Sequence, residues 1–170
     1  MKRLLLPTVV VGIVALLVLA TVALGKADRR TTGSTLVSIP NLVSGQMTGG
    51  TFKGRFRMLL DGVLKDSGTS VVRPNQQGAL RTVDGQTQVP VSGQSNLTSP
   101  KGSLSFSLTG VSISIPNVDP TKRAFGVEYG AWKITSGTGI YKGWKGGGRW
   151  ANASTPDGSQ YIDWAGAVTH

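Results

Sequence analysis

The sequence of residues 28–170 predicts an all-β fold, a single antiparallel β-barrel of about eight strands. Three observations carry the prediction. Short runs alternate strictly between apolar and polar residues, the period of a half-buried strand. Turn dipeptides such as Asp61-Gly62 and Asp84-Gly85 punctuate the runs. Gly, Ser, Thr and Pro recur too often for an uninterrupted helical stripe. Eight or so short strands without a helix make a closed barrel or a sandwich, and a barrel removes exposed edges completely.

Residues 1–27 are set apart as an export segment. Lys2 and Arg3 precede an uncharged run from Leu4 to Leu24, followed by small residues in Ala23-Leu24-Gly25 and Gly25-Lys26-Ala27. This is the layout of a secretory signal peptide. The 21-residue run also suffices to cross a bilayer, so an uncleaved anchor over residues 4–24 is the alternative. Either way the domain is expected outside the cytoplasm. Cleavage after Ala27 removes Lys2, Arg3 and Lys26 and leaves 15 basic and 8 acidic residues, a net charge of +7 against +10 for the whole chain.

The strands follow in order. Runs are expected at Thr35–Ile39, Thr51–Leu60 and Thr69–Arg73. In the second, Phe52, Phe56, Met58 and Leu60 share one face while Lys53, Arg55 and Arg57 share the other. The cationic face reads as solvated exterior, with an anion grip as the sharper alternative. A hairpin is expected at Asp84-Gly85, with Leu80, Thr82, Thr87, Val89 and Val91 on one face. A second is expected at Thr109-Gly110, which would pair Leu108 with Val111, Phe106 with Ile113 and Leu104 with Ile115. Further strands are expected at Phe125–Ile134, Tyr141–Trp150 and Gln160–Thr169.

Composition shifts near residue 125. Residues 125–170 hold 8 of the 11 aromatic residues, including all four tryptophans. The glycines among them fit neither a dinucleotide fingerprint nor a P-loop, and no helix follows to supply a dipole. Gly137 and Gly139 read as a turn, and Gly143 and Gly146–Gly148 as bulges or close approaches. The run from Trp132 through Thr135-Ser136-Gly137-Thr138-Gly139-Ile140-Tyr141-Lys142-Gly143, with Gly146, Gly148 and the closing Trp164–Thr169 strand, resembles allene-oxide-cyclase-like and dirigent-like barrels. It is nearest to their small secreted bacterial members. The resemblance covers about the last 40 residues. It implies an eight-stranded barrel, often with an apolar central cavity, in some members a trimer or dimer. Plant relatives cyclise an epoxide or steer radical coupling with polar and acidic residues in that cavity.

The chemistry available is narrow. The chain has no cysteine, and its single histidine, His170, is the last residue. Disulfides, thiol nucleophiles, a lipidated N-terminal cysteine and His triads or His-rich metal sites are therefore excluded or strongly disfavoured. Most of the eight carboxylates sit in turn sequences, Asp66-Ser67-Gly68 among them, which leaves Glu128 and Asp163 within strands. Glu128 shares a face with Gly126, Gly130, Trp132 and Ile134. The opposite set, Phe125, Val127, Tyr129 and Ala131, is the expected core face, placing Glu128 outside. If the first set lines a cavity instead, Glu128 is desolvated beside Trp132 and becomes an acid/base candidate. Asp163 is expected outside.

Trp144, Lys145, Arg149 and Trp150 suggest a surface that stacks on sugars or bases, against the alternative of tryptophans filling the lumen or covering a barrel end. No catalytic residue, metal ligand or cofactor is assigned. Glu128, Tyr129, Trp132, Tyr141, Trp144 and Trp150 are the candidate ligand-binding residues. The reading is a secreted or envelope-associated, non-catalytic barrel domain binding a small apolar or amphipathic ligand in its lumen. The alternatives are an isomerase or cyclase of the plant type, and a basic domain attaching to anionic envelope components. Nucleic acid is not an expected partner of an exported protein, membrane contact is expected only through an uncleaved N-terminal segment, and a homo-oligomer is compatible.

Overall fold

The computed structural model describes residues 34–43, 50–76, 78–116, 119, 121, 125–155 and 159–170. The expected export segment lies outside these residues, as does most of the Asn117–Lys122 loop. Nine strands follow in chain order: β1 Thr35–Val43, β2 Phe52–Leu60, β3 Val63–Gln76, β4 Arg81–Val83, β5 Gln86–Ser99, β6 Gly102–Ile115, β7 Phe125–Gly137, β8 Lys145–Ser154 and β9 Gln160–Thr169. A 3₁₀ turn at Gly139–Tyr141 leads from β7 towards β8. All pairings are antiparallel. The order β3-β2-β1-β9-β8-β7-β6-β5 is closed by β3 pairing with β5, so eight strands form a barrel and β4 adds a short ninth beside β5. Among the described residues no helix is long and apolar enough to cross a membrane.

Local sequence accounts for most of this. Asp84 (φ 50°) and Gly85 (φ 76°) take the left-handed pair required by a two-residue hairpin, with Thr82 opposite Thr87 as expected. Asp61 (φ 46°) and Gly62 (φ 81°) do the same between β2 and β3. On β2, Phe56 and Met58 are buried while Lys53, Arg55 and Arg57 are exposed, again as expected. β9 spans the expected residues, whereas β1 and β3 run longer than expected.

Three expectations are corrected. The hairpin at Thr109-Gly110 does not exist, because β6 is continuous from Gly102 to Ile115. Leu104, Phe106 and Leu108 point inward, and after Gly110 the apolar residues change parity, so Val111, Ile113 and Ile115 face outward. A change of phase in a straight strand and a two-residue turn leave the same alternating pattern, and pairing decided between them. On β7 it is the set with Gly126, Glu128, Gly130, Trp132 and Ile134 that faces the interior. Finally, β8 starts at Lys145 rather than Tyr141, because Gly143 (φ 83°) lies in the turn before it.

The parity of β7 follows from how the tryptophans pack. The Trp132 indole starts on β7 and donates from Nε1 to the Ala165 carbonyl of β9 at 3.2 Å, crossing β8 where Gly148 lies opposite Trp132. Trp150 starts on β8 and donates to the Thr109 carbonyl of β6 at 3.2 Å, crossing β7 at Gly130. Each indole together with its hydrogen bond reaches across two strand spacings, roughly 10 Å, and it passes a glycine whose added Cβ would meet the backbone of the strand beyond. Gly130 itself pairs with Gly110, and Gly148 with Gly166. Phe106 completes the layer, its ring centroid 5.1 Å from Trp132 and 5.8 Å from Trp164. Large residues over small ones fill the barrel.

A Cβ placed on Gly130 would fall far inside van der Waals contact with the Thr109 carbonyl oxygen and the Gly110 backbone. Gly130→Val is therefore expected to cost about 3 kcal/mol or more, read as a lowered urea midpoint with red-shifted tryptophan emission. Ala131→Val, one residue along on the exposed outer face, should stay within about 0.5 kcal/mol of the parent.

Candidate functional site

Among the described residues, polar or charged side chains gather at both ends of the barrel and on its outer wall. The first is one end of the barrel, formed by the C-terminal parts of β6 and β8 and the N-terminal parts of β7 and β9. Glu128 and Asn152 face each other across β7 and β8, and Ile162 follows on β9. Asn152 is 5% exposed and donates from Nδ2 to Glu128 Oε2 at 3.0 Å and to Gln160 Oε1 at 3.3 Å. These residues line a recess of about 30 Å³ whose other walls include Phe52, Val72, Trp150 and Ile162. That volume suits a water-sized group, which needs about 10–15 Å³ on this measure. Below it, the lumen is filled by side chains.

The second place is the opposite end. Asp66 is buried and turned inward from β3, where the sequence had suggested a turn. Ser99 Oγ donates to its Oδ2 at 2.6 Å, the Ser67 N–H donates to Oδ1 at 2.9 Å, and the Tyr141 hydroxyl donates to Oδ2. Lys101 Nζ lies 3.8 Å from Oδ1 and donates to the Lys65 carbonyl at 2.7 Å. Burial alone would raise the Asp66 carboxyl, but these hydrogen bonds and the Lys101 charge hold it below the usual carboxylate range. The Tyr141 phenol is pushed far above its ordinary value by burial and by Asp66, so it remains a donor. Trp144 packs edge-on against Tyr141 with ring centroids 5.0 Å apart, and the terminal His170 ring lies 5.4 Å from Trp144. The cluster ties β3, β5 and the turn before β8 together and closes this end.

The third place is the outer wall. Tyr161, Leu42 and Arg55 are consecutive cross-strand neighbours on β9, β1 and β2, and Arg57 pairs with Ser67 on β3. With Leu64 they line an open groove of about 630 Å³. The row continues the other way through Ala153, Val127 and Ile113, so an apolar line runs across the wall and ends on a cation. Leu42 and Tyr161 are 60% and 53% exposed, which marks the line as uncovered. None of Lys53, Arg55 and Arg57 is ion-paired to a described carboxylate. Asp163 also lies on this wall, as expected, accepting from Ser38 Oγ at 3.4 Å; burial raises its carboxyl above the usual range.

The six candidate residues thus separate. Glu128 and Trp150 meet at the recess, correcting the expectation that Glu128 faces solvent. Trp132 is locked in the core, and Tyr141 and Trp144 close the far end. Tyr129 stands on the outer wall, 48% exposed. Trp144 and Trp150 are buried, so they form no stacking surface with Lys145 and Arg149. Asn152, Gln160, Asp66 and the groove residues Leu42, Leu64 and Tyr161 escaped sequence reasoning. The sequence signal for an outward apolar residue there is the parity of Leu42 with Ser38, opposite Val37, Ile39 and Val43. Among the described residues no group of three or more His, Cys, Asp or Glu side chains converges as a metal site. Comparison with protein-family models, curated proteins and solved structures returns no match.

The lowered Asp66 value sets a sign. Ionised Asp66 stabilises the fold fully above the unfolded carboxylate value, near 3.9, and that contribution is lost as pH falls through the depressed folded value. Tyr141→Phe removes one donor. It should cost about 1–2 kcal/mol at neutral pH and move the acid-unfolding midpoint, followed by circular dichroism, to higher pH.

Proposed function

We propose that the chain is a non-catalytic, extracytoplasmic β-barrel domain that works from its outer wall, attaching to anionic amphiphiles of the cell envelope. One contrast carries this reading: the lumen offers a recess of about 30 Å³, while the wall offers a groove of about 630 Å³ lined by Arg55, Arg57, Leu42, Leu64 and Tyr161. Cations without a partner among the described carboxylates attract phosphate or carboxylate headgroups, and the adjoining apolar row accepts hydrocarbon. A net charge of +10, or +7 without the export segment, supplies long-range attraction of the same sign. Kinship with the allene-oxide-cyclase-like and dirigent-like barrels is part of the proposal, supported by the glycine–tryptophan run and compatible with a closed eight-stranded barrel.

The cyclase alternative draws on one observation, the position of Glu128 inside the barrel mouth. The size of the recess weighs against it, because an epoxide or phenolic substrate does not fit in a space for a water-sized group. The same volume weighs against an apolar ligand enclosed in the lumen.

Co-sedimentation with phospholipid vesicles tests the wall. Each arginine near an anionic surface is worth about 1 kcal/mol, so Arg55→Gln with Arg57→Gln should weaken binding to anionic vesicles roughly 30-fold. Binding by the parent should fall steeply with added salt. The variant and parent carry the same N-terminal segment, so any contribution of that segment cancels. Equal binding by both would sink the proposal. Unchanged binding of polyphosphate and of vesicles by Leu42→Ser would replace the amphiphile with a simple polyanion.

A further inference from the structure

The outer-wall groove carries more than a net sign. We infer that Arg55, Arg57 and Ser67 form a site for one phosphomonoester headgroup, the doubly charged phosphate of an anionic lipid in a membrane surface. This site lies within the outer-wall reading proposed above, on which it rests, and gives that reading a headgroup class.

The site begins on β2. Arg55 and Arg57 are exposed and two residues apart on one strand face, so their Cα atoms are separated by roughly 7 Å. Both line the same groove, and neither is paired with a carboxylate among the described residues. The facing strands leave that charge in place. Leu42 on β1 and Thr69 on β3 lie opposite Arg55, and Ser67 lies opposite Arg57. Asp66 is turned into the barrel, while Lys65 and Lys53 are exposed further cations. On β9, Asp163 lies opposite Pro40 and is engaged by Ser38, and burial raises its carboxyl. Burial and Asp163 raise the Tyr161 phenol, so it stays neutral. Two guanidinium groups this close repel each other, and an anion seated between them reverses the sign of the interaction.

A bulge shapes the groove. The register of β2 on β3 shifts between Met58 and Leu59, so Asp66 pairs with Met58 and Leu64 with Leu59. The extra residue, Lys65, lets Asp66 face the interior while Leu64 and Ser67 both line the groove. Donor count then narrows the anion. Two guanidinium forks and a hydroxyl offer more donors than the two free oxygens of a carboxylate or a phosphodiester can take. A phosphomonoester presents three terminal oxygens and close to two negative charges at neutral pH, matching two cations in sign and number. Leu42 and Leu64, 60% and 49% exposed at the groove, favour a phosphate with an apolar chain attached, which selects a lipid over free phosphate.

The test uses the full 170-residue chain and co-sedimentation with phosphatidylcholine vesicles carrying phosphatidic acid or, at twice the mole fraction, phosphatidylglycerol. At about pH 8 the two surfaces carry nearly the same charge, so attraction by net charge alone gives equal binding. The expected result is binding about tenfold or more tighter to phosphatidic acid. Near pH 5 that headgroup keeps close to one charge while the arginines keep theirs, and the preference should be lost. Arg57→Lys retains the charge without the fork, so it should keep the phosphatidylglycerol binding and lose most of the preference. Arg55→Gln with Arg57→Gln should abolish the preference, and inorganic phosphate at the lipid's own concentration should not displace the chain. Equal affinity for the two surfaces, with both weakened by the double substitution, would overturn the headgroup assignment and leave the amphiphile reading standing. Binding to neither surface would overturn both. A preference that survives in the folded double variant, or displacement by inorganic phosphate, would also overturn the assignment.

Discussion

The architecture depends on indoles laid across glycines. Trp132 and Trp150 each reach over a neighbouring strand to a carbonyl beyond it, and each crosses where Gly148 or Gly130 leaves room. The ring is buried in each case. Laid flat, it fills the lumen and places its N–H within reach of a backbone acceptor. Both ends of the molecule are consequences of this layer. The paired glycines Gly110–Gly130 and Gly148–Gly166 set which face of β7 and β8 turns inward, and that parity carries Glu128 and Asn152 to the mouth.

The two ends then receive opposite treatments of an inward carboxylate. Asp66 is surrounded by donors from Ser99, Ser67 and Tyr141 with Lys101 alongside, and its charge is satisfied by the protein itself. Glu128 accepts from the Asn152 amide and stands where the lumen opens. A carboxylate already saturated with hydrogen bonds is an anchor. The difference lies in how many donors each neighbourhood supplies.

The outer wall reverses the usual distribution of polarity. Once β6 passes Gly110, Val111, Ile113 and Ile115 face outward, and Ile113 continues into Val127, Ala153, Tyr161 and Leu42 on successive strands. An apolar line of this length on a barrel exterior is costly in water unless something covers it. Arg55 and Arg57 at its end give the line a chemical direction.

Local chemistry was legible wherever it acts locally. The left-handed Asp-Gly pairs at residues 61–62 and 84–85, the split of β2 into apolar and cationic faces, and the span of β9 all follow from neighbours within a few residues. Where a pattern of period two admitted two solutions, it did not choose. The Leu104–Ile115 segment reads equally as a hairpin or as one strand changing face, and the two faces of β7 are both partly apolar. Partners far along the chain made those choices: Gly110 meets Gly130, Trp150 reaches the Thr109 carbonyl past Gly130, and Asp66 meets Tyr141 from 75 residues away. The sequence alone determined that the protein is a β-barrel with a cationic strand face, no cysteine and a single histidine. Only the tertiary structure decided what lies inside, because that is a matter of which long side chain covers which missing one.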